Sequence, residues 1–214
     1  SATERSLLFD GVRLRQVVIS NPSFPDPFLR GEAVSPLPSI TRVARDIPSP
    51  YVSQASVGIE QEVWQRNSVT AEYSVLNGVN LFRSRNINAP LPATGLRPDP
   101  DFLNINRIES TGSSRSQALT LTWRGRVGNV FKPYVQYVFS HTTDDTSGTF
   151  SLPANNYDLR AERGPADLDP RHRVNVLGTI ALPKGFNTGL VLSAASGSPF
   201  DITTGFDNNG GLLA

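Results

Sequence analysis

Acid, base and cation stand side by side at Asp169-Pro170-Arg171-His172-Arg173, a grouping able in principle to move protons. General acid–base or nucleophilic chemistry would also need a Ser, Lys or metal-ligand partner at a telling spacing, and none accompanies it. Pro170 reads instead as the entry to a strand. The other imidazole, His141, is expected at the loop end of a strand as an interfacial or hydrogen-bonding side chain. Two histidines this far apart in sequence make no zinc pattern. Asp201, Asp207, Asn208, Asn209 and Gly210 gather oxygen ligands beside a flexible glycine, which is chemistry that calcium favours. Their spacing does not match an EF-hand loop, and Asn-Gly is equally a hairpin signal. Asp144-Asp145 carries the same ambiguity. No Gly-rich phosphate loop follows a strand, so no nucleotide site is indicated. No catalytic, cofactor-binding or metal residue is assigned, and neither enzymatic activity nor a cofactor is expected.

Composition narrows the classes further. Lys+Arg 20 against Asp+Glu 19 gives a net charge of +1, without the basic excess of a nucleic-acid binder. The absence of Cys removes disulfide frameworks, thiolate metal sites and cysteine nucleophiles. No apolar run reaches the roughly 20 residues a spanning helix requires, which says nothing against a membrane crossed by strands.

The elements that would position any site read as hairpins. Residues 51–64 pair with 68–76, 115–126 with 131–142, and 172–182 with 186–196. Their closures are short: Gln65-Arg66-Asn67, Val127-Gly128-Asn129-Val130 and Pro183-Lys184-Gly185. One side of each strand is apolar: Tyr51, Ala55, Val57, Ile59 and Val63 alternate with Gln54, Ser56, Glu60 and Glu62. Val69, Ala71, Tyr73 and Val75 alternate with Thr70, Glu72 and Ser74. Leu119, Leu121 and Trp123 alternate with Thr120, Thr122 and Arg124. This is the period of a half-buried strand, yet the polar side is charged, which a closed soluble core tolerates only at high cost. Trp64, Trp123, Phe131 and Phe186 cluster near the short turns, as an interfacial aromatic girdle would. A further strand is expected at 12–20 and a short one at 40–43 within a proline-rich loop, while 77–114 and 143–170 read as long loops. Short turns at one end, long loops at the other and strands of about ten residues with one apolar face are features of outer-membrane β-barrels. The expected fold is all-β: an antiparallel meander of about seven strands, part of a transmembrane barrel with long loops on one side.

Several stretches carry a family resemblance. They include Pro50-Tyr51-Val52 with Gly58-Ile59-Glu60-Gln61, and Leu81-Phe82-Arg83-Ser84-Arg85-Asn86-Ile87-Asn88-Ala89-Pro90. Others are Asn104-Ile105-Asn106-Arg107-Ile108-Glu109-Ser110-Thr111-Gly112, Tyr157-Asp158-Leu159-Arg160-Ala161-Glu162-Arg163-Gly164-Pro165, and Asp167-Leu168-Asp169-Pro170-Arg171-His172-Arg173. Ser140-His141-Thr142-Thr143-Asp144-Asp145 and Ser196-Gly197-Ser198-Pro199-Phe200 complete the set. Together they resemble the β-barrel of TonB-dependent outer-membrane receptors, and most of all the Oar-like subgroup with a carboxypeptidase-regulatory-like domain. The resemblance implies that residues 1–214 are a single wall segment of a barrel of roughly 22 strands, without plug domain, TonB box or terminal aromatic strand. Its implied partners are outer-membrane lipid, the rest of the parent receptor and, through it, TonB; no nucleic acid is expected. Arg83, Arg85, Arg160 and Arg163, placed in the long loops, would face anionic substrates or lipopolysaccharide phosphate, or pair with Glu109, Asp158 or Glu162, the better default.

Two rival readings belong to other classes. A free-standing segment would expose strand edges that pair with copies of itself, giving an extracellular self-assembling structural protein. Alternatively, the strands would stack as a soluble β-sandwich whose long loops bind a ligand.

Overall fold

The computed structural model describes residues 8–10, 23–26, 37–64 and 66–200. The expected strand at 12–20, Gln65 and the oxygen-rich stretch around Asp201 and Asp207 lie outside the described residues. Among them run eight strands: β1 (Ile40–Val43), β2 (Tyr51–Trp64), β3 (Asn67–Asn86), β4 (Ile105–Arg124), β5 (Phe131–Asp144), β6 (Gly164–Pro165), β7 (His172–Ala181) and β8 (Asn187–Ala195). They form one sheet in the order β2-β3-β4-β5-β7-β8, with β1 beside β4 and β6 beside β5. Among the described residues the sheet is open, with β2 and β8 as its edges. A sandwich requires two stacked sheets, which the described strands do not make.

All three expected hairpins are present, and their turns show why so few residues suffice. Reversing an extended chain this tightly takes backbone with positive φ. Arg66 (φ 62°), Gly128 (57°), Lys184 (63°) and Gly185 (81°) supply it. Val127 and Phe131 exchange backbone hydrogen bonds across the second turn, and Leu182 donates to Phe186 across the third. At the first two turns Asn67, 2% exposed, ties the hairpins together. Its Oδ1 accepts from Trp123 Nε1 and from the Arg126 amide, both at 3.2 Å. A Cβ on Gly125 would lie 1.8 Å from that same oxygen, so the approach requires glycine.

Three expectations need correction. First, β3 and β4 run for 20 residues each, so 77–86 and 105–114 are strand rather than loop, and the long connections shrink to 87–104 and 145–171. The register between them steps twice, between Gly78 and Leu81 and between Leu81 and Arg83. Asn80 (φ 57°) marks the first step. Bulges of this kind break the alternation by which a strand is recognised in sequence.

Second, the sheet is not purely a meander. β1, expected at these very residues, pairs in parallel with β4, Ile40 opposite Ile105 through Val43 opposite Ile108. β5 pairs with β4 only from Ser114 onward, so the far end of β4 has a free edge for β1. Ser110 Oγ then contacts both Pro48 O (2.6 Å) and Asn80 O (2.7 Å), fastening the link from β1 to β2 over the bulge.

Third, Arg83 and Arg85 lie in β3, not in a loop. The best-buried side chains sit at this same end: Ile40, Ala89, Ile105 and Ile108 are all at most 4% exposed. The packed core of the described chain is therefore the long-loop end, whereas β2 and β8 are exposed along their whole lengths.

One packing detail on the sheet carries a prediction. The Phe131 ring lies over Gly178, where an added Cβ would come 2.4 Å from Cε2. An aromatic ring laid across a strand glycine makes up for its missing side chain. Gly178→Val is expected to lower stability by about 1–3 kcal/mol through overpacking, and adding Phe131→Ala should recover part of the loss. Thermal unfolding of the full-length protein, followed by heat-modifiable gel mobility, reads both; a Gly178→Val protein melting like wild type would show that the ring is elsewhere.

Candidate functional site

Residues directly opposite in adjacent strands share a face, so the register assigns each side chain to one side of the sheet. On one side, Ile59, Ala71, Leu121, Tyr137, Val174 and Ala194 form a continuous row across six strands. The next row toward the short turns is Gln61, Val69, Trp123, Val135, Val176 and Leu192. Toward the loops follows Val57, Tyr73, Leu119 and Phe139, closed by His172. On β5 the apolar positions run from Phe131 to Phe139 at every second residue, close to the 9–11 residues with which a tilted strand crosses a bilayer. These side chains stand exposed or half-exposed, Val57 and Ile59 most of all at 70% each. An exposed apolar band of this extent marks an interaction surface.

Both borders of the band are aromatic or amphipathic. At the short-turn border, an irregularity between Glu62 and Trp64 interrupts the alternation of β2. Trp64 there meets Trp123 with ring centroids 6.5 Å apart. At the loop border, the Tyr137 hydroxyl and His172 Nδ1 are 2.8 Å apart, and the Phe139 and His172 ring centroids are 5.3 Å apart. Sequence spacing separated the two histidines, but the register brings them close: His172 faces Phe139, two residues from His141 on β5. No metal-holding group forms there among the described residues.

The opposite side of the sheet is largely polar, with Val138, Leu177 and Val191 among the exceptions. Glu60, Thr70, Thr122, Gln136, Asn175 and Ser193 make one row, and Glu72, Thr120, Val138 and Arg173 belong to its neighbour. Arg124 stacks over the Tyr134 ring at 5.1 Å. Near the short turns Glu60, Glu62, Arg66, Asn67, Ser68, Arg124 and Gly125 line an open hollow of ≈ 630 Å³. Leu121 and Thr122, neighbours in sequence, thus belong to opposite environments.

The long-loop end is held by polar side chains. Glu109, 5% exposed, accepts from Arg107 Nη2 at 2.7 Å, Arg107 Nε at 3.1 Å, Arg85 Nη2 at 3.2 Å and Thr111 Oγ1 at 3.2 Å. Asn88 is fully buried; its amide donates to Asp99 O and Phe102 O and accepts from the Asp99 amide, folding 87–104 around itself. Arg97 Nη1 closes the same loop on Asn88 O at 2.7 Å. Asn86 Oδ1 accepts from the Asn88 and Ile105 amides, and Asn156 Oδ1 accepts from the Asn86 amide at 2.7 Å, joining the second loop to the strand ends. The Tyr157 hydroxyl donates to Ala89 O between the loops.

The expected pairs Arg85 with Glu109 and Arg160 with Asp158 both form; the Arg160 side chain, by hydrogen bonding, holds the exposed Asp158 carboxyl down at about 2. Glu162 is instead engaged by the Ala154 amide. Asp144-Asp145 are not turned toward a shared cation: Asp145 accepts from the Ser113 amide and hydroxyl. The Asp169 to Arg173 grouping is divided between two surroundings. Asp169, 1% exposed, takes His141 Nδ1 at 3.1 Å and Arg171 Nε at 3.4 Å, while Arg173 lies opposite Val138 on the polar face.

A profile of the outer membrane beta barrel domain matches residues 12–212. The chain belongs to that family. Its residence is accordingly the outer membrane, and membrane lipid is the environment in which an outer membrane β-barrel domain of this kind stands. Among solved structures, the outer membrane transporter YddB from Escherichia coli is similar, with 14% identity and a TM-score of 0.49 over 69% of this chain. The chain spans 20% of that protein's chain. No curated protein matches the sequence.

Proposed function

We propose that this outer membrane β-barrel domain is a wall segment of a TonB-dependent receptor, taking part in substrate uptake without catalysing a reaction. Residues 1–214 act as one segment whose apolar side faces lipid and whose polar side faces the lumen. The remaining strands and a plug come from the parent receptor, and TonB acts through them. The observation that carries this reading is the contrast between two adjacent rows that each cross six strands: the row containing Leu121 and Tyr137 is wholly apolar and the row containing Thr122 and Gln136 wholly polar. The long, internally packed loops then lie outside the cell, the side on which outer-membrane barrels carry their longer connections. The resemblance of 81–90, 104–112 and 167–173 to the Oar-like subgroup supports the finer assignment.

The reading is tested with spin labels in the full-length protein reconstituted in bilayers. Labels at 57, 59, 71, 73, 121, 137, 176 and 192 are expected to collide with oxygen dissolved in lipid; labels at 60, 72 and 124 are expected to collide with a water-soluble reagent. Equal behaviour of the two sets would remove the barrel-wall reading. Dependence of uptake on TonB tests the finer assignment separately.

A second reading draws on the sheet edges. Among the described residues β2 and β8 each have one strand neighbour, which leaves one side of each without a described partner strand. Such edges pair with other strands, and in a segment acting alone they would join copies of this chain into an extracellular assembly. The mass and oligomeric state of the protein isolated from its native membrane decide between the two.

A further inference from the structure

Immediately beyond the loop border of the apolar band, on the same side of the sheet, the register stacks two polar rows. The first holds Gln117 opposite His141, and the second Arg115 opposite Thr143. Arg163 reaches into the second row from the loop, its Nη2 donating to Thr143 Oγ1 at 3.2 Å and its Nη1 to Ser113 Oγ at 3.3 Å. Two guanidinium groups therefore flank Thr143, and both are exposed.

Their partners are neutral. Arg115 meets the Gln117 amide oxygen at 3.0 Å when that amide is turned to donate to the Tyr73 hydroxyl, and Arg163 rests on two hydroxyls. No carboxylate lies within ion-pair distance of either among the described residues. Asp145 is occupied by Ser113 and, at 3.7 Å, by Arg83. Asp144, partly buried and close to Asp167 and Asp145, feels the Arg163 charge without closing a pair with it. Asp169 is buried against His141 and Arg171. Among the described residues the patch thus keeps two cations with no carboxylate at ion-pair distance, unlike the saturated Glu109 cluster.

Position gives the patch a ligand. Rows on one face of a strand are about 7 Å apart along it, which at a 45° tilt is roughly 5 Å in height. The Arg115 row then stands about 10 Å above the Phe139 row that ends the apolar band, and arginine stems reach back down from there. The backbone of that row thus stands just above the headgroup layer, roughly 5–8 Å thick on each side of the hydrocarbon, and the guanidinium groups reach down into it. Guanidinium is the side chain suited to bind phosphate through two parallel hydrogen bonds.

We propose that Arg115 and Arg163 form a binding site for the phosphate of an outer-leaflet lipid, whose acyl chains lie along the apolar band beneath, against Tyr73, Leu119 and Phe139. His141, one row lower, lines the path between phosphate and chains. The inference rests on the apolar side facing lipid.

The test uses the full-length protein, stripped of lipid in detergent and offered bisphosphorylated lipid A, its dephosphorylated form or inorganic phosphate, with retained lipid counted by native mass spectrometry. Bound bisphosphorylated lipid is expected to fall about tenfold or more in the Arg115→Gln/Arg163→Gln protein, while Arg124→Gln on the polar side leaves it unchanged. The dephosphorylated lipid should bind weakly to all three proteins. Equal retention by wild type and the double variant overturns the site; displacement of lipid by millimolar inorganic phosphate replaces it with a site for free phosphate. Quenching by brominated lipid of a fluorophore at position 121 is measured in parallel. Quenching with unchanged retention refutes this inference alone, and absence of quenching refutes the membrane placement and the inference together. Unaltered quenching in the double variant shows that it is folded.

Discussion

Glu109→Ala is expected to loosen the long-loop end of the sheet while leaving the hairpins at the short-turn end in place. The carboxylate sits between Arg85 and Arg107, which face each other across β3 and β4, and it accepts hydrogen bonds from both. Removing it leaves two neighbouring guanidinium groups with no anion, beside Arg83, itself 3% exposed. Deleting one partner of a buried ion cluster costs 3–5 kcal/mol. Because Arg85 and Arg107 retain about a third of their exposure, water screens part of the penalty, and about 3 kcal/mol is expected. Glu109→Gln keeps an acceptor without the charge and should cost less. Limited proteolysis of the full-length protein is the direct reading: the Ala variant should be cut faster within 87–104 and 145–171, with fragments still associated. Unchanged cutting in both variants would mean that the Asn86, Asn88 and Asn156 network alone holds the loops.

That network also shows where the sequence was readable and where it was not. The hairpins were legible because the band makes every second residue of 51–64, 68–76, 115–126 and 131–142 obey one environment, and a strand between two solvents writes its period plainly. Beyond the band β3 and β4 bury apolar and polar side chains alike, Ile105 and Ile108 beside Arg83, Ser84, Asn86 and Glu109. There the alternation has no cause, and Asn77, Gly78, Asn80 and Ser84 read as loop. The bulges at Gly78 to Arg83 removed what period remained. Segment 40–43 was recognisable from its own residues, but its parallel partner was not, since that pairing depends on β4 outrunning β5.

The loop asparagines were the missed residues. Asn86 and Asn88 act as substitutes for backbone: Asn86 accepts from two backbone amides, and Asn88 serves one amide and two carbonyls. The signal available for them was the repeated Asn-x-Asn at 86–88 and 104–106, just where the strands end. The Asp169 grouping offered no catalytic partner in the sequence, and the link from Asp169 to His141 required the fold, since the two residues meet only where β7 pairs with β5.

The placement of the two sides is open to a stronger test than labelling, because the bilayer charges for ions by depth. Leu121 occupies the middle of the apolar band, in register with Ala71 and Tyr137. If that row stands near the centre of the hydrocarbon, Leu121→Arg costs about 2–4 kcal/mol, the depth-dependent penalty for a cation on the lipid side of a barrel. Thr70→Arg, one residue from Ala71 and in register with Glu60, points the same group toward Glu60 and water, so a change of at most about 0.5 kcal/mol is expected there. The contrast does not depend on strand propensity, since arginine replaces a central residue of a paired strand in each case. Position along the band supplies an internal scale: Val57→Arg, nearer the loop border, should cost less than Leu121→Arg, because the side chain reaches the headgroups. Urea titration of the full-length protein folded into lipid vesicles measures all three. A Leu121→Arg protein as stable as Thr70→Arg would mean that the apolar side is not in lipid. An intermediate cost at Val57 would instead fix the height at which the band meets the headgroup layer, and with it the level at which Arg115 and Arg163 stand.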